Sequence, residues 1–409
     1  MLSEYEFTVL DLFSGCGGLS LGFQRAGFEI VAAYDSWERA VATYRANFSH
    51  AAHLVELDKH TLLPKATVIM GGPPCQGFSS AGRRQVGDQR NTLVRVFAEL
   101  IARHKPSAFV FENVEGFLTQ ARGRFVFDLL EPLIGAGYRI HLRKINAAHY
   151  GVPQHRKRVI AIGGLGWNPT FPEHTHSALG APGARLANGY HLPFTPTLQE
   201  ALRDLPSVTQ GPNGGDDSFD HNGSAFNEAD RHRAELLEPG QRMRDLPEEL
   251  WHVSYRRRAY RRVMDGTPTE RRGGAPAGLR RLVADEPAKA ITGGALRDFV
   301  HPSEDRPLTL RECARLQTFP DDFVFVGNQS EKIQLIGNAV PVRLAQRIAE
   351  ILKADLPRAV AAETQGALLS FVPTLSDGMS PVLQAVYDQV KGRFQAFSIP
   401  HAEQMSLWP

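Results

Sequence analysis

The first 165 residues predict an α/β fold with a mostly parallel sheet and helices on both faces. Short runs rich in β-branched and aromatic residues alternate with segments of helical periodicity, a pattern typical of βαβ units. Glycine, proline or an acidic residue closely follows several of the apolar runs. The predicted strands cover 7–13, 29–34, 66–70, 108–112, 138–146 and 158–164, and the predicted helices cover 19–26 and 93–104.

Four residues are expected along one edge of this sheet. Gly15, Asp35, Pro74 and Glu112 each closely follow a predicted strand. Parallel sheets bind ligands beyond the carboxyl ends of their strands. These residues are therefore candidates for a functional site.

The composition changes along the rest of the chain. From 166 to 285, turn-forming residues and arginine dominate and the hydrophobic periodicity weakens, which predicts a smaller, irregular inserted domain. Residues 286–355 are expected to return to the first domain, with an amphipathic helix at 342–356. Residues 356–409 form an extension. Its apolar stripe predicts one more helix and consists of Val382, Leu383, Val386, Val390 and Phe394.

Composition excludes several classes of protein. The 409 residues contain no apolar run long enough to span a bilayer, and the N-terminus carries acids where a signal peptide carries bases. Three cysteines are too few and too scattered for a disulfide framework or a zinc site, so no metal is expected. The net charge of +2 says little, but residues 251–281 hold nine arginines and two acids, a local excess suited to phosphates or to a solvated face.

A glycine turn follows the first strand. Gly15, Gly17 and Gly18 permit a tight turn and close approach of a ligand to backbone amides. Asp35 ends the next strand, where a carboxylate suits the hydroxyls of a ribose. This pattern fits NAD, S-adenosylmethionine or a purely structural turn.

A second loop carries a candidate nucleophile. Cys75 lies in the sequence GGPPCQGFS (71–79), on a loop at the sheet edge where a thiolate can reach a substrate. Glu112 follows a neighbouring strand, so the pair suggests a nucleophile and an acid acting together. Gln154, Arg156 and Arg158 alternate at strand spacing, which would direct them to one side.

These motifs together resemble the C5-cytosine DNA methyltransferases, especially those of bacterial restriction-modification systems. The resemblance covers roughly 7–165 and 285–353 and implies a Rossmann-like, S-adenosylmethionine-dependent methyltransferase fold with a target-recognition domain at 166–285. The matching segments occur in the family's order and are DLFSGCGG (11–18), PPCQ (73–76), ENV (112–114), QHRKR (154–158), RECARLQTFP (311–320) and GNAVP (337–341).

The resemblance implies a role for each candidate residue. Cys75 would add to carbon 6 of a flipped cytosine, and Glu112, Arg156 and Arg158 would hold the ring and stabilise its charge. S-adenosylmethionine would bind through residues on both motif-bearing segments, namely Phe13, Gly15, Gly17, Gly18, Asp35, Asp58, Pro74, Asn338 and Val340. Phe13 and Asp58 would contact its adenine, and Asp35 its ribose.

Double-stranded DNA is the implied partner. Its expected contacts are Gln76, Ser79, Arg83, Gln154, Arg256, Arg257, Arg258 and Arg261, with residues 76–90 as a mobile flap. Three alternatives stay open. They are an RNA cytosine methyltransferase of the same fold, an inactive DNA-binding homologue and a nicotinamide oxidoreductase. The last of these leaves the loop that contains Pro73, Pro74 and Cys75, the PPC loop, unexplained.

The end of the chain carries one more motif. Gln404–Trp408 resembles the short peptide by which bacterial proteins bind the replication sliding clamp, with a plain disordered terminus as the alternative. A monomer in the bacterial cytoplasm, associated with the nucleoid, is expected. Its role would be self-protection against a restriction enzyme or another form of phage defence.

Overall fold

The strands and helices were assigned in a computed structural model that describes residues 7–74, 92–178, 192–208, 219–222, 225–259, 278–359, 366–375 and 378–394. The strands are β1 (Thr8–Leu12), β2 (Glu29–Asp35), β3 (Ala51–Leu54), β4 (Val68–Gly71), β5 (Ala108–Val114), β6 (Tyr138–Asn146), β7 (Gln154–His155), β8 (Lys157–Leu165), β9 (Arg280–Arg281), β10 (Ala288–Lys289), β11 (Phe299–Val300) and β12 (Ala367–Val372).

Helices lie between and after these strands. They are α1 (Gly18–Arg25), α2 (Glu38–Asn47), α3 (Leu93–His104), α4 (Arg124–Gly135), α5 (Leu198–Leu202), α6 (Glu228–Leu236), α7 (Val253–Ala259), α8 (Ala295–Asp298), α9 (Leu310–Leu316), α10 (Gln329–Asn338), α11 (Val342–Asp355) and α12 (Pro381–Arg393). Among the described residues, no helix has both the length and the apolar composition needed to cross a membrane.

The chain divides into two compact units. Unit 1 takes in the described parts of Met1–Gly151, Lys157–Phe194 and Ala339–Pro409, and unit 2 those of Val152–Arg156 and Thr195–Asn338. Most of the expected target-recognition domain, 166–285, belongs to unit 2, which extends further along the chain, to Asn338. The functional assignment of that segment stays a prediction.

Unit 1 contains an eight-stranded sheet in the order β12-β6-β8-β5-β4-β1-β2-β3. Its strands are parallel except β8, which runs antiparallel to both neighbours. The mostly parallel sheet predicted from the sequence is thus confirmed. The predicted strands are all present, and the sequence analysis missed β3 and β12.

The core of unit 1 lies against the sheet and is rich in aromatic side chains. Phe97, Phe109, Phe111 and Phe117 are fully buried, and the ring centroid of Phe111 lies 5.5 Å from that of Phe97 and 5.1 Å from that of Phe117. α1 and α11 approach closely because Gly22 faces Ala345, where an added Cβ would lie 2.4 Å from the Ala345 Cβ. This packing fixes the helix that follows the glycine turn.

Unit 2 has its own small core and a buried ion pair. Its apolar cluster includes Met243, Trp251 and Leu279. The guanidinium of Arg306 contacts Glu312 at 2.8 Å, with both side chains at most 5% exposed. The segment that reads as irregular in sequence therefore still buries apolar surface.

Candidate active site

The candidate site lies where the strand order of the sheet reverses. β1 has β2 on one side and β4 on the other, and Leu12 pairs with Gly71 at the carboxyl ends of β1 and β4. A Cβ on Gly71 would lie 2.2 Å from the Leu12 carbonyl oxygen, so only glycine allows this approach. The glycine turn and the PPC loop therefore leave the sheet side by side, at the position where such folds bind ligands.

The glycine turn is held by Asp35. One carboxylate oxygen accepts a hydrogen bond from the Gly15 amide and the other from the Trp37 amide, each at 2.8 Å. Gly15 has φ +55°, and a Cβ added there would meet no atom within 4 Å. A Cβ added to Gly17, which has φ +94°, would instead lie 2.5 Å from a ring atom of Phe48. The turn is thus packed on one side and open at Gly15.

A buried polar chain lies behind this turn. Asp11 is fully buried and accepts a 2.6 Å hydrogen bond from the Ser20 hydroxyl, which accepts one from Tyr44, and the Tyr44 oxygen lies 2.7 Å from His50 Nε2. Burial raises the pKa of Asp11 to about 7. Its second oxygen, Oδ1, has no hydrogen-bond partner among the described residues. The sequence analysis missed this series of hydrogen-bonded side chains, because the local sequence gives no sign that Asp11 differs from other residues of the first strand.

Other expected cofactor contacts occupy varied surroundings. Phe13 is half-buried with φ 58°, and Val340 is buried. Pro74 and Asn338 are exposed, the latter as the last residue of α10 in unit 2. Asp58 is exposed, and its carboxylate accepts hydrogen bonds from the His60 amide and the Thr61 hydroxyl in a local turn.

The acceptors and the space at this end of the sheet fit the expected S-adenosylmethionine. Gly15 leaves room beside the turn, and a carboxylate has more acceptor positions than the neighbouring amides occupy, so Asp35 can still accept a hydroxyl group. Burial raises the pKa of Asp35. A hydrogen-bond donor on a bound ligand would favour its ionised form.

Glu112 and Arg158 form a buried ion pair. Arg158 Nε lies 2.6 Å from Glu112 Oε1, with side chains 12% and 9% exposed. Burial lowers the pKa of Arg158, and the neighbouring carboxylate of Glu112 opposes that effect. The approach lacks the alignment of a well-formed hydrogen bond, so the contact is mainly electrostatic. Two of the four expected catalytic side chains are thereby brought together.

Neighbouring residues connect this pair to the PPC loop. The Asn113 side chain donates a 2.8 Å hydrogen bond to the Pro73 carbonyl. A Cβ on Gly72 would lie 3.0 Å from Glu112 Oε2, so the carboxylate packs directly against the loop backbone. The sequence predicted the ENV motif as a unit. The structure assigns its asparagine to holding the segment that leads into Cys75.

Gln154 and Arg156 lie in unit 2 and make structural contacts there. Both are at most 1% exposed. Arg156 donates to the carbonyls of Ile291 and Gly337, at 2.6 Å each. Gln154 bonds to the Leu316 carbonyl, the Gln317 side chain and the Ile291 amide.

The expected alternation of these residues differs in the structure. Gln154–His155 pairs with β10 as β7, and the large sheet resumes only at Lys157. Gln154, Arg156 and Arg158 therefore do not share one strand. The catalytic contact expected of Arg156 and the DNA contact expected of Gln154 stay predictions.

Several expected site residues lie outside the described residues. These are Cys75, Gln76, Ser79, Arg83, Arg261 and the Gln404–Trp408 motif. Arg256 is exposed on α7 and donates to the Glu248 carbonyl, while Arg257 and Arg258 belong to the same helix.

The other two thiols are sealed in the protein. Cys16 and Cys313 are at most 2% exposed. Burial raises the pKa of Cys16 to about 12 and that of Cys313 well above its ordinary value. A thiolate is therefore unfavourable at both positions.

A protein-family model and several known sequences match most of this chain. A family model of C-5 cytosine-specific DNA methylases matches residues 7–354. The Type II methyltransferase M1.HphI of Haemophilus parahaemolyticus is 35% identical, over 85% of this chain and 88% of its own. The Type II methyltransferase M.HgiDI of Herpetosiphon aurantiacus is 36% identical, over 85% and 94% respectively.

Solved structures agree in fold. A protein described as a DNA modification methyltransferase encoded within an Escherichia coli prophage aligns with a TM-score of 0.60 and 23% identity, over 86% of this chain and 100% of its own. Spodoptera frugiperda DNMT2 aligns with a TM-score of 0.56 and 16% identity, over 85% and 100%. The family match over 7–354, with relatives 35% and 36% identical across most of their length, establishes that this chain belongs to the C-5 cytosine-specific DNA methylases.

Proposed function

We propose that this DNA methylase transfers a methyl group from S-adenosylmethionine to carbon 5 of a cytosine extruded from duplex DNA, with Cys75 as the nucleophile. The observation that carries the proposal is the buried Glu112–Arg158 pair, packed against the backbone that leads into Cys75. A carboxylate and a guanidinium at this position suit the ring nitrogen, amine and carbonyl of a cytosine.

Cys75 is the only cysteine with a plausible chemical role. The other thiols, Cys16 and Cys313, are buried and resist ionisation. Addition of the Cys75 thiolate to carbon 6 would raise the electron density on carbon 5, which by itself is a poor nucleophile. After methyl transfer a base would remove the carbon 5 proton, the double bond would re-form and Cys75 would leave as the thiolate. Arg158 would stabilise the negative charge that develops on the ring, and the carboxyl group of Glu112 would hydrogen-bond its amidine edge.

Binding of S-adenosylmethionine rests on the glycine turn. When bound, the cofactor supplies an electrophilic methyl group. The Asp35 carboxylate, which the Gly15 amide holds in place, would accept hydrogen bonds from its ribose hydroxyls, and Val340 would border the pocket. The carbonyl of Gly337, which accepts from Arg156, precedes Asn338 and so supports the closing GNAVP segment.

The direct test combines product mapping with trapping of the covalent adduct. Bisulfite sequencing of DNA from a host that expresses the protein should reveal 5-methylcytosine in one sequence context. DNA containing 5-fluorocytosine should become covalently attached to the wild type and to Cys313→Ala, and not to Cys75→Ala. Cys75→Ala should still bind S-adenosylmethionine in calorimetry. An adduct on Cys75→Ala, or absence of methylation by the wild type, would contradict the proposal.

We further propose that the chain acts as a monomer at the bacterial nucleoid and protects host DNA in a restriction-modification system or another phage defence. The names of the relatives as Type II methyltransferases support this role. Light scattering of the purified protein tests the monomer. Contact of Gln404–Trp408 with the sliding clamp is tested by pull-down, which Leu407→Ala/Trp408→Ala should abolish.

A further inference from the structure

The chain continues beyond the family match with two ordered elements. The match ends at residue 354, whereas β12 and α12 follow it. β12 extends the sheet in parallel beside β6. α12 packs on the start of α4, where a Cβ on Gly123 would lie 2.4 Å from Val386. An Arg393–Glu131 ion pair of 2.9 Å adds a second contact between the two helices. The extension therefore builds a surface that the family-matched segment does not provide.

α4 and α12 border a cavity of about 460 Å³, the α4–α12 cavity. Its lining consists of Arg122, Arg124, Phe127, Gln389 and Arg393, and so contains three guanidinium groups and no acid. Such a lining suits a phosphate group, since guanidinium binds phosphate oxygens in pairs and the amide can add a donor.

The arginines of the cavity are only partly neutralised. Arg393 pairs with Glu131 and lies 5.7 Å from the Phe127 ring. Arg124 Nε is 3.8 Å from Asp128, a long contact. Arg122 is exposed and forms no ion pair or side-chain hydrogen bond within the described residues. The cavity therefore has a positive charge that an anion can neutralise.

The backbone at Arg122 is strained. Ala121 and Arg122 have φ of 48° and 56°, a left-handed conformation that residues with a side chain rarely adopt. Gly123, with φ 81°, then begins α4 without a side-chain cap, and the first turn of α4 contains no acid. Strained residues concentrate at ligand sites, and the uncapped amides add to the positive field of the arginines.

The α4–α12 cavity is connected along the chain to the carboxyl-end edge of the sheet, where Glu112 lies. β5 carries Glu112 near its carboxyl end, and short 3₁₀ turns at Glu115–Leu118 and Gln120–Gly123 connect it to α4. A DNA duplex that presents a cytosine to Glu112 would have its backbone near this edge. Contacts to phosphates fix the position of a protein on DNA without reading sequence.

We propose that the α4–α12 cavity binds a phosphate of the DNA backbone flanking the extruded cytosine, so that the C-terminal extension adds a sequence-independent DNA contact. This inference rests on the proposed function, since it takes duplex DNA as the substrate. Gln389 and Arg393 supply the contact from α12, and Arg122 and Arg124 supply it from the turn before α4 and from its first residue.

The salt dependence of DNA binding tests the proposal in the full chain. Kd for a fluorescent duplex is measured between about 50 and 200 mM salt for the wild type and for Arg122→Gln/Arg393→Gln. Loss of one phosphate contact should flatten the slope of log K against log salt by about 0.9, which weakens binding about 15-fold at 50 mM and about 4-fold at 200 mM.

Lys65→Gln/Lys391→Gln is the matched control. Both lysines are exposed and neither lines the cavity, so their loss removes the same two positive charges elsewhere. Gln389→Glu is a second variant that places a carboxylate in the cavity without removing a packing residue, and it should weaken binding in the same direction. A slope and Kd equal to those of Lys65→Gln/Lys391→Gln would overturn the proposal.

Two further measurements distinguish DNA phosphate from inorganic phosphate as the ligand, and failure of this inference from failure of the proposed function. If inorganic phosphate raises the Tm of the wild type and not of Arg122→Gln/Arg393→Gln, while the DNA slope stays unchanged, the cavity binds a small anion and the DNA assignment is wrong. Wild-type methyl transfer is assayed in the same preparation. Its absence would refute the proposed function, whereas normal transfer with an unchanged slope would refute only this inference.

Discussion

Replacing Arg158 by methionine tests how much stability the protein loses when the buried Glu112 carboxylate has no cationic partner. The variant keeps an unbranched apolar side chain and removes the guanidinium group with its charge. The wild-type pair has an N–O distance of 2.6 Å with side chains 12% and 9% exposed, and Arg158 also donates to the Lys157 carbonyl at 2.8 Å. Arg158→Met therefore leaves the Glu112 carboxylate in a largely apolar site without its partner.

The magnitude follows from that burial. Removal of one member of a buried pair costs about 3–5 kcal/mol, mostly because the other charge stays desolvated. The residual exposure of both side chains favours about 3 kcal/mol. Burial outweighs Glu112 in setting the lowered pKa of Arg158, so the pair itself stabilises little. The double variant Glu112→Gln/Arg158→Met should thus recover about 2 kcal/mol relative to additivity.

The assay is urea-induced unfolding at pH 7, followed by circular dichroism, for the wild type, both single variants and the double variant. Arg95→Met is the control, since Arg95 lies 2.8 Å from Glu99 but the two side chains are 34% and 30% exposed, and it should cost less than about 1 kcal/mol. Methyl transfer by folded Arg158→Met should fall about 100-fold or more. A loss of stability no larger than that of Arg95→Met, or strictly additive single variants, would refute this reasoning.

Three other substitutions test the polar chain, the helix packing and the contacts of unit 2. Burial raises the pKa of Asp11 from 3.8 to about 7, so the folded state holds the proton more tightly than the unfolded state. The free energy of unfolding of the wild type, relative to that of Asp11→Asn, should therefore be highest below about pH 4. It should fall by up to about 4 kcal/mol as the pH rises to about 7. Denaturant titrations that give the same difference between the two proteins at every pH would exclude this. Gly22→Ala should destabilise the protein by about 1–3 kcal/mol, because its Cβ would lie 2.5 Å from the Gln346 amide nitrogen. Gly135→Ala is the control, since its Cβ would have no atom within 4 Å. It should be neutral or slightly stabilising in thermal unfolding. Arg156→Met should lower the free energy of unfolding by about 3–5 kcal/mol, since it leaves the carbonyls of Ile291 and Gly337 without their charged donor. It should also weaken binding of S-adenosylmethionine in calorimetry. A variant as stable as the wild type would show that Arg156 is not structural.

The sequence by itself determined six strands of the large sheet, the helices α1, α3, α11 and α12, and the edge of the sheet at which chemistry is expected. Apolar runs with β-branched residues define strands locally, and glycine or proline defines their ends, so each element can be predicted from a short window. Gly15, Asp35 and Glu112 follow directly from those ends. β3 was missed because three of the four residues in AAHL are exposed, which leaves a weak apolar signal.

Tertiary structure alone decided which side chains meet. Glu112 and Arg158 are neighbours because β5 and β8 pair antiparallel with Val114 opposite Arg158, which sets the two charged residues diagonally across the strands. The chain from Asp11 to His50 likewise joins β1, α1 and α2.

Residue alternation in sequence also gave no sign that the strand is interrupted at Arg156, because that interruption depends on pairing of β7 with β10, more than a hundred residues further along the chain. Such contacts depend on register and long-range pairing, and those are properties of the folded chain rather than of any local window.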